Sequence, residues 1–173
     1  NTIMTEKIVR RGVRVPAEYA ADHLDLVAVG EACTREVVSL KTSDALGEVR
    51  AWIASGRPDG QHQGYPVVDD TGRVRGVITR RDLLSPDHPN MRRIGEMLRR
   101  GPVVVQEQHS LREAADHMVR EDIGRLIVVG EKAPHAMVGI LTRGDLLAAH
   151  ARRLREAHDA HRHIRWRSGV FSR

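Results

Sequence analysis

Residues 76–84 read Gly76-Val77-Ile78-Thr79-Arg80-Arg81-Asp82-Leu83-Leu84, and residues 139–147 repeat the pattern as Gly139-Ile140-Leu141-Thr142-Arg143-Gly144-Asp145-Leu146-Leu147. The glycine, the threonine, the aspartate and both leucines coincide in the two stretches. Each stretch begins with an apolar run that predicts a short buried strand, and it continues into a Thr-x-x-Asp sequence that favours the start of a helix. The recurrence indicates that the chain contains two copies of one structural unit.

The similarity extends backward from both stretches. The segment Gly64-Tyr65-Pro66-Val67-Val68 aligns with Gly124-Arg125-Leu126-Ile127-Val128, and Val37-Val38 aligns with Val103-Val104. Between these segments each copy has an apolar stripe at helical spacing, formed by Ala45, Leu46, Val49, Trp52 and Ile53 in the first copy and by Leu111, Ala114, Ala115, Met118 and Val119 in the second. Ser110 predicts the N-cap of the second helix, and Ser43 or Asp44 predicts that of the first.

Each copy therefore has the order strand, helix, strand, turn, strand and helix, with the first hairpin turn at residues 69–72. A copy of about 60 residues has too small a core to be stable alone, so we expect the two copies to pack on each other. The predicted fold class is α/β (α+β), with two β-α-β-β-α repeats related by a pseudo-two-fold axis. Two similar clefts should then lie between the repeats, and such junctions are common ligand sites.

The predicted organisation is a connector at residues 1–30, repeat 1 at 31–90, repeat 2 at 91–150 and a basic tail at 151–173 that is helical to about residue 164. The tail contains seven arginines and two carboxylates, so it carries the whole net charge of +5 and residues 1–150 are neutral. A neutral body argues against a nucleic-acid partner. No apolar run approaches the ~20 residues that span a bilayer, and residues 1–30 have no signal-peptide core.

The sequence contains no catalytic pattern. No Ser or Cys has a His and a carboxylate at a recognisable spacing, and neither a phosphate-binding loop nor a dinucleotide motif is present. Cys33 is the only cysteine, which excludes an internal disulfide. His158 and His161 have a chelating spacing, but no carboxylate or cysteine completes a metal site there. We therefore expect a protein that is not an enzyme and that needs no metal or cofactor.

The duplicated ending, with its glycine, apolar run and Thr-x-x-Asp-Leu-Leu, resembles the CBS domain pair, or Bateman module, over residues 31–150. The resemblance implies adenine-nucleotide binding (ATP, ADP or AMP) in the clefts and a regulatory role. Residues 5–19, followed by Asp22 and Leu24, resemble the connector between the membrane domain and the CBS pair of ClC chloride channels and transporters, and residues 62–68 and 77–83 resemble that family's first repeat. This second resemblance implies a homodimer at the cytoplasmic face of the cell membrane, attached to its own membrane-embedded transport domain.

The family pattern implies that each cleft takes adenine contacts from one repeat and ribose and phosphate contacts from the other. Cleft one would use Val37, Val38, His62, Gln63 and Tyr65 with Thr142, Arg143 and Asp145. Cleft two would use Val103, Val104, Gly124 and Arg125 with Thr79, Arg80, Arg81 and Asp82. In this scheme the aspartates accept hydrogen bonds from ribose hydroxyls, and the arginines bind phosphate through paired charge-assisted bonds.

Simpler interpretations stay open. Thr-x-x-Asp at a helix start is also a capping sequence that needs no ligand, Tyr65 also suits the core, and Arg80 and Arg81 also suit the solvated surface. Gly144 stands where ClC relatives that bind ATP can carry a basic residue, so cleft one has one cation fewer. The tail could contact anionic lipid headgroups or form a solvated helix. For the whole module the alternatives are a ligand-free dimerisation pair, or a regulatory module of another transporter or of a metabolic enzyme.

Overall fold

The computed structural model describes the backbone of residues 23–171 and the side chains of residues 23–162. Its elements, in chain order, are α1 (Val29–Ala32), β1 (Leu40–Lys41), α2 (Leu46–Ala54), β2 (Gly64–Val68), β3 (Val74–Thr79), α3 (Arg80–Leu84), β4 (Val104–Gln106), α4 (Leu111–Glu121), β5 (Arg125–Val129), β6 (Met137–Thr142) and α5 (Arg143–Phe171). Short 3-10 turns lie at Pro58–Gln61 and Ile94–Met97. Both repeats have the predicted β-α-β-β-α order, so the predicted fold class is confirmed. Most of the predicted connector, residues 1–22, lies outside the described residues.

Each repeat forms one three-stranded sheet with its second strand in the centre. β1 pairs with β2 in parallel and β2 pairs with β3 antiparallel, and β4, β5 and β6 pair in the same way. Gly64 lies opposite Thr79 in repeat 1, and Arg125 lies opposite Thr142 in repeat 2. The two sheets therefore share one topology and one register, as an internal duplication requires.

The strand register corrects the sequence alignment of the repeats by one residue. Since Thr79 and Thr142 are equivalent, Gly64 corresponds to Arg125 and not to Gly124. Before β1, a shift of one residue in the opposite direction makes Val38 the counterpart of Val103. The glycines were misaligned because the 3-10 turn at Pro58–Gln61 lengthens the connection before β2, so that Gly64 and Gly124 were matched by residue type alone. The valine pairs were also matched by residue type alone.

A short arm preceding each repeat packs on the opposite repeat. Arm one, residues 27–30, lies on repeat 2, where the Gly30 amide donates to the Glu107 carbonyl at 2.8 Å. Arm two, residues 92–95, lies on repeat 1, where the Gly95 amide donates to the Thr42 carbonyl at 3.0 Å. The arms are equivalent, and their exchange ties the two repeats together through backbone hydrogen bonds.

Aliphatic side chains form three clusters. The core of repeat 1 includes Ile94 of arm two, and the core of repeat 2 includes Val29 of arm one; both are fully buried. The third cluster lies between the two sheets and is centred on Val74, Ile127 and Val129. A fully buried aliphatic side chain contributes roughly 1.5–3 kcal/mol, so these contacts hold the repeats face to face as the sequence predicts.

The helix starts show how the arms replace side-chain caps. Ser110 caps α4 as predicted, because its hydroxyl accepts from the Glu113 amide at 3.1 Å. The prediction that Ser43 or Asp44 caps α2 is wrong, since Ala45 occupies the N-cap position without a side-chain bond. Backbone carbonyls at residues 92 and 90 instead accept from the first two amides of α2, at 2.9 and 2.8 Å. A helix whose first N–H groups bond a neighbouring segment needs no polar cap.

The predicted hairpin turn at residues 69–72 is present. Gly72 has φ +83°, a left-handed conformation that glycine adopts without strain. The Asp69 carboxylate accepts from the Thr71 hydroxyl at 2.6 Å and from the amides of Thr71 and Arg73. These bonds, that of the Thr71 hydroxyl above all, lower the pKa of Asp69, so the turn is held by an ionised carboxylate.

The last helix is longer than the sequence predicts. α5 continues to Phe171, about two turns beyond the predicted end near residue 164. Within residues 23–171, no helix combines the length and the apolar character needed to cross a bilayer.

We predict that Gly139→Ala destabilises the fold by about 1–3 kcal/mol, the usual cost of forcing an extra methyl group into a packed site. A Cβ at Gly139 would lie 2.6 Å from the Thr34 carbonyl oxygen and 3.0 Å from Cys33 Sγ, and the Thr34 backbone is held by two hydrogen bonds to Ile140. Urea denaturation measures the change. Gly144→Ala is the matched control, because its Cβ meets only Thr142 Oγ1 at an ordinary 3.5 Å; an equal loss in both variants would contradict the steric explanation.

Candidate functional site

A cavity of about 460 Å³ lies between the two repeats at the ends of β3 and β5. Repeat 1 supplies the end of β3 and the start of α3, and repeat 2 supplies the segment between α4 and β5. The stretch that leads from arm two into β4 closes one side. The lining residues are Val77, Ile78, Thr79, Asp82, Met97, Arg99, Arg100, Gly101, Val103, Asp122, Ile123, Gly124 and Arg125. This cavity is cleft two of the sequence prediction.

The structure brings together five of the eight residues predicted for cleft two, namely Thr79, Asp82, Val103, Gly124 and Arg125. The remaining three lie elsewhere. Val104 lines a neighbouring groove, Arg80 donates to the Gly60 carbonyl at 2.6 Å, and Arg81 is exposed to solvent. The position of Val104 follows from the alternation of side chains along a strand, since Val103 faces the cleft.

Thr79 and Asp82 show that capping and a ligand role are compatible. The Thr79 hydroxyl accepts from the Asp82 amide at 3.1 Å, which is the capping bond that the sequence also allowed. Asp82 also lines the cavity, and among residues 23–162 no hydrogen bond or ion pair engages its carboxylate. Its two oxygens are therefore available as hydrogen-bond acceptors for hydroxyl groups.

Arg125 occupies the boundary between the two repeats. A Cβ at Gly64 would lie 2.9 Å from Nη1 of Arg125 and 3.1 Å from its Cζ, so the guanidinium group lies directly against β2 of repeat 1. Burial, and to a smaller extent the nearby Arg143, lower the pKa of Arg125. An arginine stays protonated even so, and a half-buried cation without a carboxylate partner favours the binding of an anion.

Several residues that line the cavity have no recognisable pattern in the sequence. Arg99 and Arg100 lie in the stretch between arm two and β4, and Asp122 and Ile123 follow α4. Asp122 has φ +52° and ends α4, so its position is set by the helix terminus. The alignment of the repeats does not indicate a binding role for Arg99 and Arg100. Their counterparts in repeat 1 are Thr34 and Arg35, for which no role was predicted.

The residues predicted for cleft one have several different environments in the structure. Tyr65 is fully buried, and its hydroxyl accepts from the His62 amide at 3.0 Å and donates to the Asp59 carbonyl at 3.2 Å. Val38 packs against the core of repeat 1, Val37 is half-buried, and His62 and Gln63 are exposed. Arg143 lies against Gly124 and lines a small pocket between α4 and α5. The core interpretation of Tyr65 is therefore the one that the structure supports.

Thr142 and Asp145 form a closed, two-way cap. The Asp145 amide donates to the Thr142 hydroxyl at 3.2 Å, and the Asp145 carboxylate accepts from the Thr142 amide at 2.9 Å. Asp82 makes only the first kind of bond. One oxygen of the Asp145 carboxylate is thus bonded at the start of α5, whereas Asp82 lines a cavity and its carboxylate has no such bond.

A broader groove of about 1130 Å³ lies on the other side of the Arg99–Gly101 segment. Its floor includes Val74, Val104 and Val129, and Arg73 and Arg75 stand at its rim. Arg75 lies 3.9 Å from the Asp69 carboxylate. Within residues 23–162, no group of three or more histidine, cysteine, aspartate or glutamate side chains is placed to hold a metal ion.

Comparison with known proteins agrees with the duplication. The CBS domain family matches residues 29–86 and again residues 94–152. The magnesium transporter MgtE of Thermus thermophilus is 31% identical over 139 residues, which cover 80% of this chain and 29% of MgtE. The chain spans 65%, 38% and 29% of the lengths of three curated relatives that it matches.

Two solved structures have the same arrangement of repeats. The cytosolic domain of the Mg2+ channel MgtE in complex with ATP has a TM-score of 0.58 at 30% identity, covering 67% of this chain and 46% of that domain. CBSX2 in complex with AMP has a TM-score of 0.60 at 25% identity, covering 74% of this chain and 98% of CBSX2. The chain therefore belongs to the CBS domain family, with one CBS domain in each repeat. Pairs of CBS domains are in general regulatory and not catalytic.

We predict that Asp145→Ala lowers the free energy of unfolding by about 1 kcal/mol, the usual loss for a capping carboxylate. Asp82→Ala should change stability by less than about 0.5 kcal/mol without ligand, since its carboxylate makes no bond in the described chain. Urea denaturation of the two variants at neutral pH provides the comparison. Equal losses would show that the two carboxylates have the same structural role.

Proposed function

We propose that this chain is a regulatory module that binds an adenine nucleotide between its two CBS repeats and reports nucleotide state to a membrane transporter. The observation that carries the proposal is the cavity of cleft two, in which an acceptor from repeat 1, Asp82, faces an apolar and cationic wall from repeat 2. A cavity of this size lies within the range of ~300–1,000 Å³ typical of small-molecule sites.

The lining provides a contact for each part of a nucleotide. Val103, Ile123 and Val77 give apolar surface for a purine, and the Asp82 carboxylate is a suitable acceptor for two ribose hydroxyls. Arg99, Arg100 and Arg125 supply guanidinium groups, which bind phosphate through paired charge-assisted hydrogen bonds. The ATP and AMP complexes of the MgtE cytosolic domain and of CBSX2 support the same ligand class for this chain.

The position of the cavity gives a physical route to regulation. Both repeats line it, so a bound nucleotide contacts Asp82 and Arg125 at once only when the repeats hold one relative arrangement. A ligand shifts a conformational equilibrium by its difference in affinity for the two states. The nucleotide would thus favour the closed arrangement, and the flanking segments would transmit that preference.

The parent protein is a membrane transporter in this proposal. The resemblance of residues 1–25 suggests a ClC-type chloride channel or transporter as the parent, but residues 1–22 lie outside the described part. The similarity of this chain to MgtE does not support a ClC-type parent. A magnesium transporter or another cation transporter is the candidate favoured by the MgtE similarity. In either case the module lies at the cytoplasmic face of the membrane, where the basic tail could approach anionic headgroups. Membrane spans encoded next to the module, and their ion-selectivity residues, would decide between the two parents.

We predict that the chain binds ATP, ADP or AMP in calorimetric titration and that Asp82→Ala weakens the binding at least tenfold, or about 1.4 kcal/mol. The loss is expected because two ribose hydroxyls would lose their acceptor. Asp70→Ala, at an exposed position of the first hairpin, is the matched control and should bind like the unchanged chain. Absence of heat with all three nucleotides would leave the ligand-free dimerisation pair as the function.

The module also has a surface suited to a second copy of itself. Val119 of α4 is 81% exposed and Leu147 of α5 is 69% exposed, and the two helices lie side by side across a shallow apolar pocket. We predict that Val119→Glu converts a dimer to a monomer in sedimentation velocity experiments, because a charge placed in an apolar interface is costly. Met91→Glu is the control, since Met91 is 83% exposed but lies in the segment between the repeats. A wild-type chain that sediments as a monomer at high concentration would rule out this contact.

A further inference from the structure

We propose that each chain binds one nucleotide polyphosphate, in cleft two, and that Arg99 and Arg100 select it by the length of its phosphate chain. Cleft one has a threonine and a glycine in place of two of the three arginines of cleft two and does not take the ligand. This inference rests on the proposed nucleotide-binding function and adds to it the number of sites, their location and the ligand class.

The internal duplication allows the two clefts to be compared position by position. The stretch from Val29 to Leu40 has the same length as the stretch from Ile94 to Val105. The ends of the two stretches occupy equivalent hydrogen-bonded positions. The crossing segments, residues 33–37 and 98–102, which lead from each arm into the first strand of the next repeat, therefore align without a gap. Arg99 corresponds to Thr34, Arg100 corresponds to Arg35, and the strand register makes Arg125 the counterpart of Gly64.

Close packing at two equivalent glycines supports this match. A Cβ at Gly139 would meet Cys33 and Thr34, and a Cβ at Gly76 would meet Leu98 and Arg100. Each crossing segment thus passes close to the third strand of the opposite repeat, with Cys33 and Leu98 as equivalent contacts, but the carbonyls that approach the glycines belong to Thr34 and Arg100 and differ by one position. The clefts also differ in the residue types that these segments present.

The cation that cleft one retains is already engaged. Arg35 donates to the Gly30 carbonyl at 2.9 Å and lies 3.8 Å from the Glu107 carboxylate, so it ties the crossing segment to arm one and to repeat 2. Arg100 has one exposed contact with Glu121 at 3.4 Å. Among residues 23–162, neither Arg99 nor Arg125 has a carboxylate partner.

The aspartates of the two clefts also differ in their hydrogen bonds. In cleft two Asp82 faces the cavity, while in cleft one Asp145 accepts the Thr142 amide at 2.9 Å and completes the cap of α5. In cleft one, therefore, one oxygen of the aspartate is already bonded and the arginine of the crossing segment is engaged. Arg143 does not add a cation there, because it lies against Gly124 in the pocket between α4 and α5.

The three arginines of cleft two exceed what a single phosphate group needs. One guanidinium group can bind one phosphate group through two parallel hydrogen bonds. Arg125 is the half-buried member, whereas Arg99 and Arg100 stand exposed on the crossing segment at the mouth of the cavity. A phosphate chain that starts near Arg125 and extends outward would meet Arg99 and Arg100 in turn, so these two residues should distinguish ATP from AMP.

Calorimetric titration of the full 173-residue chain with ATP and with AMP tests the inference. We expect one ATP per chain, bound at least tenfold more tightly than AMP. Arg99→Gln combined with Arg100→Gln should weaken ATP at least tenfold and AMP less than threefold, so that the preference for ATP is largely lost. Arg35→Gln changes the equivalent position of cleft one and is the matched control; it should bind both nucleotides like the unchanged chain.

The outcomes separate this inference from the function on which it rests. Two ATP per chain, equal affinities for ATP and AMP, or a loss of ATP binding in Arg35→Gln would overturn the inference and leave nucleotide binding intact. No heat with any nucleotide would remove both. Thermal melting without nucleotide confirms that the double variant is folded, and if it is not, Arg99→Gln alone gives the same comparison because that side chain is exposed.

Discussion

The exchange of the two arms is the contact on which the rest of the structure depends. Ile94 completes the core of repeat 1 and Val29 completes the core of repeat 2, while the carbonyls of Asn90 and Arg92 take the place of a cap on α2. A repeat of this size buries too little apolar surface to be stable alone. Because each repeat borrows a buried residue from the segment leading into the other, the two fold as one body.

This exchange determines where the clefts lie and what lines them. A chain that leaves an arm on one repeat and enters the first strand of the other must cross the junction between them. The crossing segments, residues 33–37 and 98–102, therefore form a wall of cleft one and of cleft two, respectively. Their sequences are less constrained by the cores than the strands are, so the same geometry can present Thr34 on one side and Arg99 on the other. Duplication gave two clefts, and divergence of the crossing segments made them chemically different.

The sequence was sufficient to predict the duplication, the order of elements, the face-to-face packing and the hairpin turn, because these depend on apolar periodicity and turn residues. Thr79, Asp82 and Arg125, which it assigned to one cleft, line one cavity, and their role in ligand binding stays a prediction. It did not predict the caps of α2, which are supplied by a segment about 45 residues away and leave no local pattern. It also missed Arg99 and Arg100, since an arginine in an irregular segment has no periodic neighbour to indicate which way it faces. The one-residue error in alignment had a similar origin, because a 3-10 turn present in one repeat only shifted the glycines against each other.

The two Thr-x-x-Asp sequences show that one motif can have two different structural roles. Both threonines cap a helix, but α3 has five residues and packs within its repeat, whereas α5 extends over 29 residues and leaves the module. Two hydrogen bonds between Thr142 and Asp145 hold the first turn of α5. One of them engages Oδ2 of Asp145, so this carboxylate has fewer acceptor sites left for a ligand than that of Asp82. In repeat 1 only the threonine bond is present, and Asp82 lines the cavity. The same motif therefore caps a helix in both repeats and leaves the carboxylate unbonded only in repeat 1.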